Sequence, residues 1–267
     1  MALNQQHLQA ILTRTQNQAS RPFLVHLFET LPSTNQTLWN LLEQGAEPGT
    51  VVIATQQTSG RGQWGRQWSS PPGGLYLSVA IAIALPACQS YQLTLCSAWG
   101  IAMALRDRGI PVGLKWPNDL MLCERKLGGI LTETKVCGGR ITKAVVGVGI
   151  NWANPVPETG INLQSFLCDR VPVPIDSLEM LAAVTLMGIA SGNQLCSQAG
   201  IEAMLPSYQQ LLTSIGRSVS VNGRSGIVVG VTATGELRVR LCPDQVPNVV
   251  AATEICLKPG TISLGYN

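Results

Sequence analysis

An α+β domain followed by a small β-barrel is the fold that the sequence predicts, and three observations predict it. Along roughly the first 215 residues, β-branched runs alternate with stretches whose apolar residues recur every three or four positions. Beyond Gly216 the texture changes, and "RSVSVNGRSGIVVGVTATGELRVRL" reads as three short alternating strands cut by Asn222-Gly223 and Thr234-Gly235 turns. A length of 267 residues with 45% apolar content supports one large domain with a sizeable core and a smaller appendage. The boundary is expected near Ile215, dividing residues 1–215 from 216–267.

The elements follow in order. Residues 3–16 set Leu8, Ile11 and Leu12 on one helical face, and residues 23–29 alternate as a strand. Ser33 then offers an N-cap with Gln36 as its capping-box partner. The helix so opened carries Leu38, Leu41 and Leu42 and stops at Gly45. Residues 50–54 and 75–85 read as strands, and 90–108 as a helix closed by Gly109. Short strands are expected over 112–116, 120–122, 127–135 and 141–150, the last two joined as a hairpin by Cys137-Gly138-Gly139-Arg140. A proline-rich loop over 154–174 leads to helices over 177–190 and 198–214. Residues 249–257 complete a four- or five-stranded barrel, and there is no internal repeat.

Composition excludes several function classes. The net charge of +3, without a Lys/Arg block, does not make a general nucleic-acid surface. The longest apolar run, "LYLSVAIAIALPA" from Leu75, is too short to span a bilayer and contains Ser78, so no membrane partner is expected. Polar residues occupy the N-terminus where a signal peptide needs an apolar block. The eight cysteines are scattered without a Cys-x-x-Cys pair and read as reduced thiols of a cytoplasmic protein. With His7 and His26 as the only histidines, neither a histidine metal site nor a Ser-His-Asp triad is expected.

One stretch stands apart. "GRGQWGRQWSSPPGG", from Gly60, places five glycines, two arginines and two tryptophans in fifteen residues of a chain that is only 12% charged. It is not a P-loop, because no Gly-Lys-Ser/Thr enters a helix; Arg66 follows the last glycine of the run. Three further segments accompany it: Ser33-Thr34-Asn35 at a helix start, "KWPNDLMLCERKLGGILTE" from Lys115, and "VVGVGINW" from Val145.

In this order the segments resemble the catalytic domain of biotin protein ligases over roughly residues 23–152, and the terminal barrel resembles that family's C-terminal domain. The resemblance implies a mixed β-sheet with flanking helices, of the class II synthetase-like biotin/lipoate ligase type, and an SH3-like barrel. It implies a two-step reaction. Biotin's carboxylate attacks the α-phosphate of ATP to give biotinyl-AMP, and a lysine of the biotin carboxyl carrier protein of acetyl-CoA carboxylase then takes the biotinyl group. Two anions meet in the first step, so cations and Mg²⁺ are needed where charge accumulates. A carboxylate nucleophile with a pKa of about 4–5 needs no general base, which suits a chain poor in histidine.

By resemblance the catalytic residues are Arg61, Lys126 and Asp119, with Asp119 also on the Mg²⁺ side and a candidate acceptor for the carrier lysine's proton. Biotin is expected among Ser33, Thr34, Asn35, Gln57, Gly60, Arg61, Gly62, Gln63, Lys126, Gly128 and Gly149. ATP and the adenylate are expected at Arg61, Arg66, Trp68, Asn118, Lys126 and Asn151, with Gly147 as a further point of close approach. Ser33 is left between an N-cap and a ligand contact, and Lys115 ranks below Lys126 as a phosphate-steering or locally paired cation. Residues 60–68 are expected to form a lid that excludes water from the mixed anhydride.

Gln63 departs from the family, in which an arginine is common at this place. A lost charge-assisted bond is worth about 1.5–3 kcal/mol, so a looser hold on the adenylate is expected, with Arg66 as the candidate compensating cation. Trp64 has no assigned role. The neighbouring reading is a lipoate or octanoyl ligase, and a DNA-binding protein is the rival from another class. Only about 22 residues precede the first strand, too few for a winged-helix domain, so no operator binding is expected. Family members dimerise by sheet-edge pairing, and the sequence leaves the oligomeric state open.

Overall fold

Alternation along the strands sorts side chains between the two faces of one seven-stranded sheet. The computed structural model describes residues 3–15, 22–242, 253–262 and 264–265. The strands are β1 (Leu24–Leu31), β2 (Thr50–Gln57), β3 (Leu75–Ile81), β4 (Gly113–Lys115), β5 (Asp119–Leu122), β6 (Arg125–Cys137) and β7 (Arg140–Ile150). They run in the order β1-β2-β3-β7-β6-β5-β4. The β1–β2 pair is parallel and the others are antiparallel, which makes the sheet mixed, as expected.

In β2, Val51 and Ile53 join the main core while Val52 and Ala54 join a smaller one on the opposite face. The main core is covered by α1 (Gln5–Thr15), α3 (Tyr91–Arg106), α5 (Leu178–Ala199) and α6 (Ile201–Leu211). The smaller core is covered by α2 (Thr34–Glu43), through Leu38 and Leu42. β7 obeys the same period: Val146, Val148 and Ile150 face the main core, leaving Gly147 and Gly149 on the α2 side. That glycine-floored face is where the site forms.

α5 runs unbroken to Ala199, although the sequence suggested a stop at residue 190. Gly188 and Gly192 do not end the helix. They let it lie against α3, where a methyl at Gly188 would stand 2.7 Å from the Gly100 carbonyl oxygen. α5 is also long and apolar enough to cross a membrane, but half of its most apolar window is buried inside the fold. A short helix, α4 (Leu163–Leu167), interrupts the expected loop over 154–174. Asn162 caps it by accepting from the Ser165 amide at 2.8 Å.

Two further expectations are corrected. Ser33 is the N-cap residue of α2, but its side chain makes no capping bond, so the Ser33–Gln36 capping box does not form. The Gln57 side-chain oxygen instead accepts from the Thr34 amide at 2.9 Å. The cysteines are not all thiols: Cys96 and Cys196, brought together by the α3–α5 packing, are joined as a disulfide. The other six are free.

The C-terminal sheet holds β8 (Ser218–Val221), β9 (Arg224–Val231), β10 (Leu237–Leu241) and β11 (Glu254–Leu257) in antiparallel order β11-β10-β9-β8. Asn222 and Gly223, both at positive φ (50° and 80°), make the tight turn that their sequence predicts. Of the strand expected over 249–257, residues 249–252 lie outside the described residues, and β11 covers 254–257. The barrel is docked by Trp116, whose indole donates to the Gly235 carbonyl at 2.8 Å, and by Gln209 on the Val231 carbonyl at 3.3 Å.

Candidate active site

The site is a cleft floored by β6 and β7, walled by the start of α2 and the β4–β5 turn, and covered by the loop over 60–68. Its floor alternates for the reason already given. Gly129, Leu131 and Glu133 project from β6 beside Gly149, Gly147 and Val145 of β7. Missing side chains at Gly129 and Gly149 make room for Trp68, since a methyl on Gly149 would lie 2.5 Å from the Trp68 indole nitrogen.

The polar end of the cleft is a linked set of hydroxyls and amides. Thr34 donates to Gln57 through both its amide and, at 3.3 Å, its hydroxyl. The buried Ser78 hydroxyl lies 2.7 Å from Thr34 Oγ1 and 2.6 Å from Asn35 Oδ1. Asn35 Nδ2 reaches the Glu133 carboxylate at 2.8 Å. Ser78, notable in the sequence only as a polar interruption of an apolar run, therefore braces two side chains expected to face biotin.

The ionic end lies at the β4–β5 turn. Lys126 Nζ meets Asp119 Oδ1 at 2.6 Å and stands 5.2 Å above the Trp68 ring centroid. Asn118 holds this turn to β6 by donating to the Ile130 carbonyl at 2.7 Å. Lys115 also faces the cleft, only 8% exposed, and donates to the Gly265 carbonyl at 2.6 Å. Burial lowers its pKa to about 8; the Asp119 charge works against the shift, while Lys126, Arg217 and Arg66 add to it.

The covering loop is folded onto itself. The Gly62 amide donates to the Arg66 carbonyl at 2.7 Å, the Trp68 amide donates to the Gly60 carbonyl at 2.9 Å, and Arg61 bridges to Gln67. Gly60 forms the base, where a side chain would run into the Trp68 carbonyl and the Ser70 hydroxyl. Arg61 points to Glu133, with Nη2 lying 3.2 Å from both carboxylate oxygens. Arg66 lies 5.9 Å from the Trp64 ring. The side-chain oxygen of Gln63 and the indole nitrogen of Trp68 are buried with no protein partner.

A model of the biotin/lipoate A/B protein ligase family matches residues 27–151. This segment belongs to that family. The chain is 36% identical over 125 residues to the bifunctional ligase/repressor BirA of Bacillus subtilis, a match covering 46% of this chain and 38% of that protein. It is 33% identical over 200 residues to BirA of Escherichia coli, covering 74% of this chain and 62% of that protein. The chain thus spans less than two thirds of the length of these curated relatives. Among solved structures, biotin protein ligase from Aquifex aeolicus, in complex with biotin and ATP, superposes with a TM-score of 0.64 at 26% identity. That match covers 80% of this chain and 90% of the other.

Within the ligase-family fold, most residues singled out from sequence line one cleft: Ser33, Thr34, Asn35, Gln57, Arg61, Gly62, Gln63, Arg66, Trp68, Asn118, Asp119, Lys126, Gly147 and Gly149. Three do not. Gly60 is the packed base of the loop just described. Gly128 turns toward Ile150 and Leu120 on the core side, and its neighbour Gly129 occupies the cleft floor instead. Asn151 is buried, donating to the Lys126 carbonyl at 3.3 Å and accepting from Asn154 at 3.0 Å, so it braces the lysine from behind.

Sequence reading missed Glu133, which ends one of the quoted segments and holds Asn35 and Arg61, and Ile262 and Leu264 of the C-terminal tail, which reach the cleft from beyond the last strand of the second sheet. The period-two alternation of β6 carried a signal for Glu133. None existed for the tail.

Proposed function

We propose that the protein activates biotin with ATP to biotinyl-5′-AMP and transfers the biotinyl group to a lysine of the biotin carboxyl carrier protein of acetyl-CoA carboxylase. One observation carries this reading: a single cleft joins a hydroxyl- and amide-lined end to the Lys126–Asp119 end beneath a glycine-rich cover. A neutral bicyclic ring suits the first end, through Ser33, Thr34, Asn35 and Gln57 on apolar walls. Phosphates suit the second. The complex of the Aquifex aeolicus biotin protein ligase with biotin and ATP supports the same assignment.

In the first step a biotin carboxylate oxygen bonds to the α-phosphorus while the bond to pyrophosphate breaks. Lys126 lies where negative charge collects, and Arg61 and Arg66 are the cover's cations. In the second step the carrier amine bonds to the acyl carbon, AMP leaves, and the amine's proton passes to Asp119. An amine with a free pKa near 10.4 needs such an acceptor. Gly62 lets the cover approach the ligand closely, and Trp68, already over Gly149, supplies an aromatic face for adenine.

Mg²⁺ fits this donor set. Among the described residues, Asp119 is the acidic side chain at the ionic end of the cleft, and Mg²⁺ is commonly held by one or two carboxylates together with substrate phosphates. No group of three His, Cys, Asp or Glu side chains is poised for a metal among the described residues, so the ion belongs with the nucleotide. When bound it neutralises phosphate charge.

The proposal extends to organisation. Residues 1–215 form the catalytic unit and 216–267 a barrel that roofs it, a division supported by Lys115, Trp116 and Ile262 at their junction. A net charge of +3 supports the absence of operator binding; six free cysteines favour a cytoplasmic setting, with the Cys96–Cys196 disulfide weighing against it. β1 is the sheet edge available to the homodimer that the resemblance allows. The test is pyrophosphate release with biotin against lipoate, followed by label transfer to the carrier. Release with lipoate alone would replace this reading with a lipoate ligase. A gel shift of biotin-operon DNA at physiological salt tests the operator statement.

A further inference from the structure

We propose that Glu133 is a positioning residue, holding Arg61 and with it the loop over 60–68 in place before any ligand arrives. The carboxylate is set by two donors from α2: Asn35 Nδ2 at 2.8 Å and the Trp39 indole at 3.2 Å. Its remaining capacity faces Arg61 Nη2, 3.2 Å from each oxygen. Because Arg61 bridges to Gln67 and the loop is closed by its own backbone bonds, fixing one guanidinium fixes the whole loop. Trp68 over Gly129 and Gly149 anchors the other end.

The floor strand sets the distance between these anchors. Glu133 lies four residues beyond Gly129 on β6, about 13 Å at strand rise. Lys126 is paired with Asp119 near Gly129, and Arg61 with Glu133, so the two cations expected to act together sit at opposite ends of the cleft. Glu133 thus pre-organises the cover by holding Arg61. Arg61 is 45% exposed, so the pair is weak enough to be exchanged.

The chemical consequence rests on the ligase reading, but the latch itself does not, and the experiment separates them. In ligand-free protein at low salt, Glu133→Gln is expected to speed tryptic cleavage after Arg66 by about threefold to fivefold, the size an exposed ion pair commands. Salt should speed cleavage of the parent and not of the variant. Arg61→Gln breaks the same pair from the loop side and covers a failure of Glu133→Gln to fold. It should produce the same acceleration, with no further increase in the double variant. Equal cleavage rates in parent and single variants, or additive effects, would overturn the latch. In parallel, Glu133→Gln should raise the KM for biotin by a similar factor with kcat retained, since only pre-organisation is lost. A fall in kcat at unchanged KM would overturn the positioning role. Absence of biotin-dependent pyrophosphate release in the parent would defeat the ligase reading alone, leaving the cleavage comparison to decide the latch.

Discussion

Lys115 donates to the carbonyl of Gly265 at 2.6 Å, joining the cleft to the far end of the chain across a separation of 150 residues. The contact draws the tail over the cleft, where Ile262 and Leu264 complete the wall. It also keeps a lysine in a place that costs it hydration. A group buried this way reports on itself through pH.

Its pKa falls from 10.5 to about 8 on folding. Between these values the unfolded chain holds the extra proton, so stability should rise with pH from about 8 toward 10 and carry the full penalty below 8. Lys115→Met should remove that slope. Denaturant midpoints of both proteins from pH 7 to 9.5 test this, a range that stops short of the buried Tyr76 and Tyr208, whose pKa values burial raises. Parallel curves would contradict it. If the ammonium steers phosphate, pyrophosphate release should also decline above pH 8 in the parent.

Gly188→Ala should destabilise the fold by about 1–3 kcal/mol or more, because the new methyl meets the Gly100 carbonyl at 2.7 Å and the Ile101 Cα at 2.8 Å. These are backbone atoms and cannot swing aside. Thermal unfolding measures the loss. Gly109→Ala is a useful contrast: nothing stands within 4 Å, and the cost there is confined to its φ of 74°.

Gln63 brings a buried oxygen with no protein partner to a position where the resemblance leads us to expect an arginine. A charge-assisted bond to an adenylate is worth about 1.5–3 kcal/mol. Gln63→Arg should therefore slow release of biotinyl-AMP by roughly tenfold or more. Trapping free intermediate by rapid filtration gives the rate, and equal rates in the two proteins would remove Gln63 as the cause of leakage.

Asp119→Ala should abolish transfer to the carrier, because it strips both the acceptor for the amine proton and the partner of Lys126 at 2.6 Å. A loss of at least about 10²-fold is expected from general-base removal alone. Full retained activity in a label-transfer assay would rule out both roles.

Much of the architecture was legible because it is written in local periods. The strands at β2, β6 and β7 and the hairpin at Gly138-Gly139 follow from alternation and turn chemistry. The tight turn at Asn222-Gly223 follows from the residues able to adopt positive φ. The cleft was legible in part, since Arg61, Lys126, Asp119 and Trp68 sit in unusual local company.

Other assignments went astray where local and distant demands use the same residue type. The helix expected to end at residue 190 runs to Ala199, because its Gly188 and Gly192 serve contact with α3. Gln36 looks like a capping partner, yet Gln57, 23 residues from Thr34, takes the bond. Gly128 and Gly129 are alike in sequence, and only the register of β6 on β7 turns one to the core and the other to the cleft.

By itself, then, the sequence determined which segments become strands and helices and which residues bear charge beside glycine. Both depend on neighbours a few positions away. Tertiary structure alone decided which partner each charge takes: Arg61 with Glu133, Lys126 with Asp119 and Lys115 with Gly265. Ion pairs and hydrogen bonds need atoms within about 3 Å, and folding sets distances of that kind between residues that the chain itself keeps far apart.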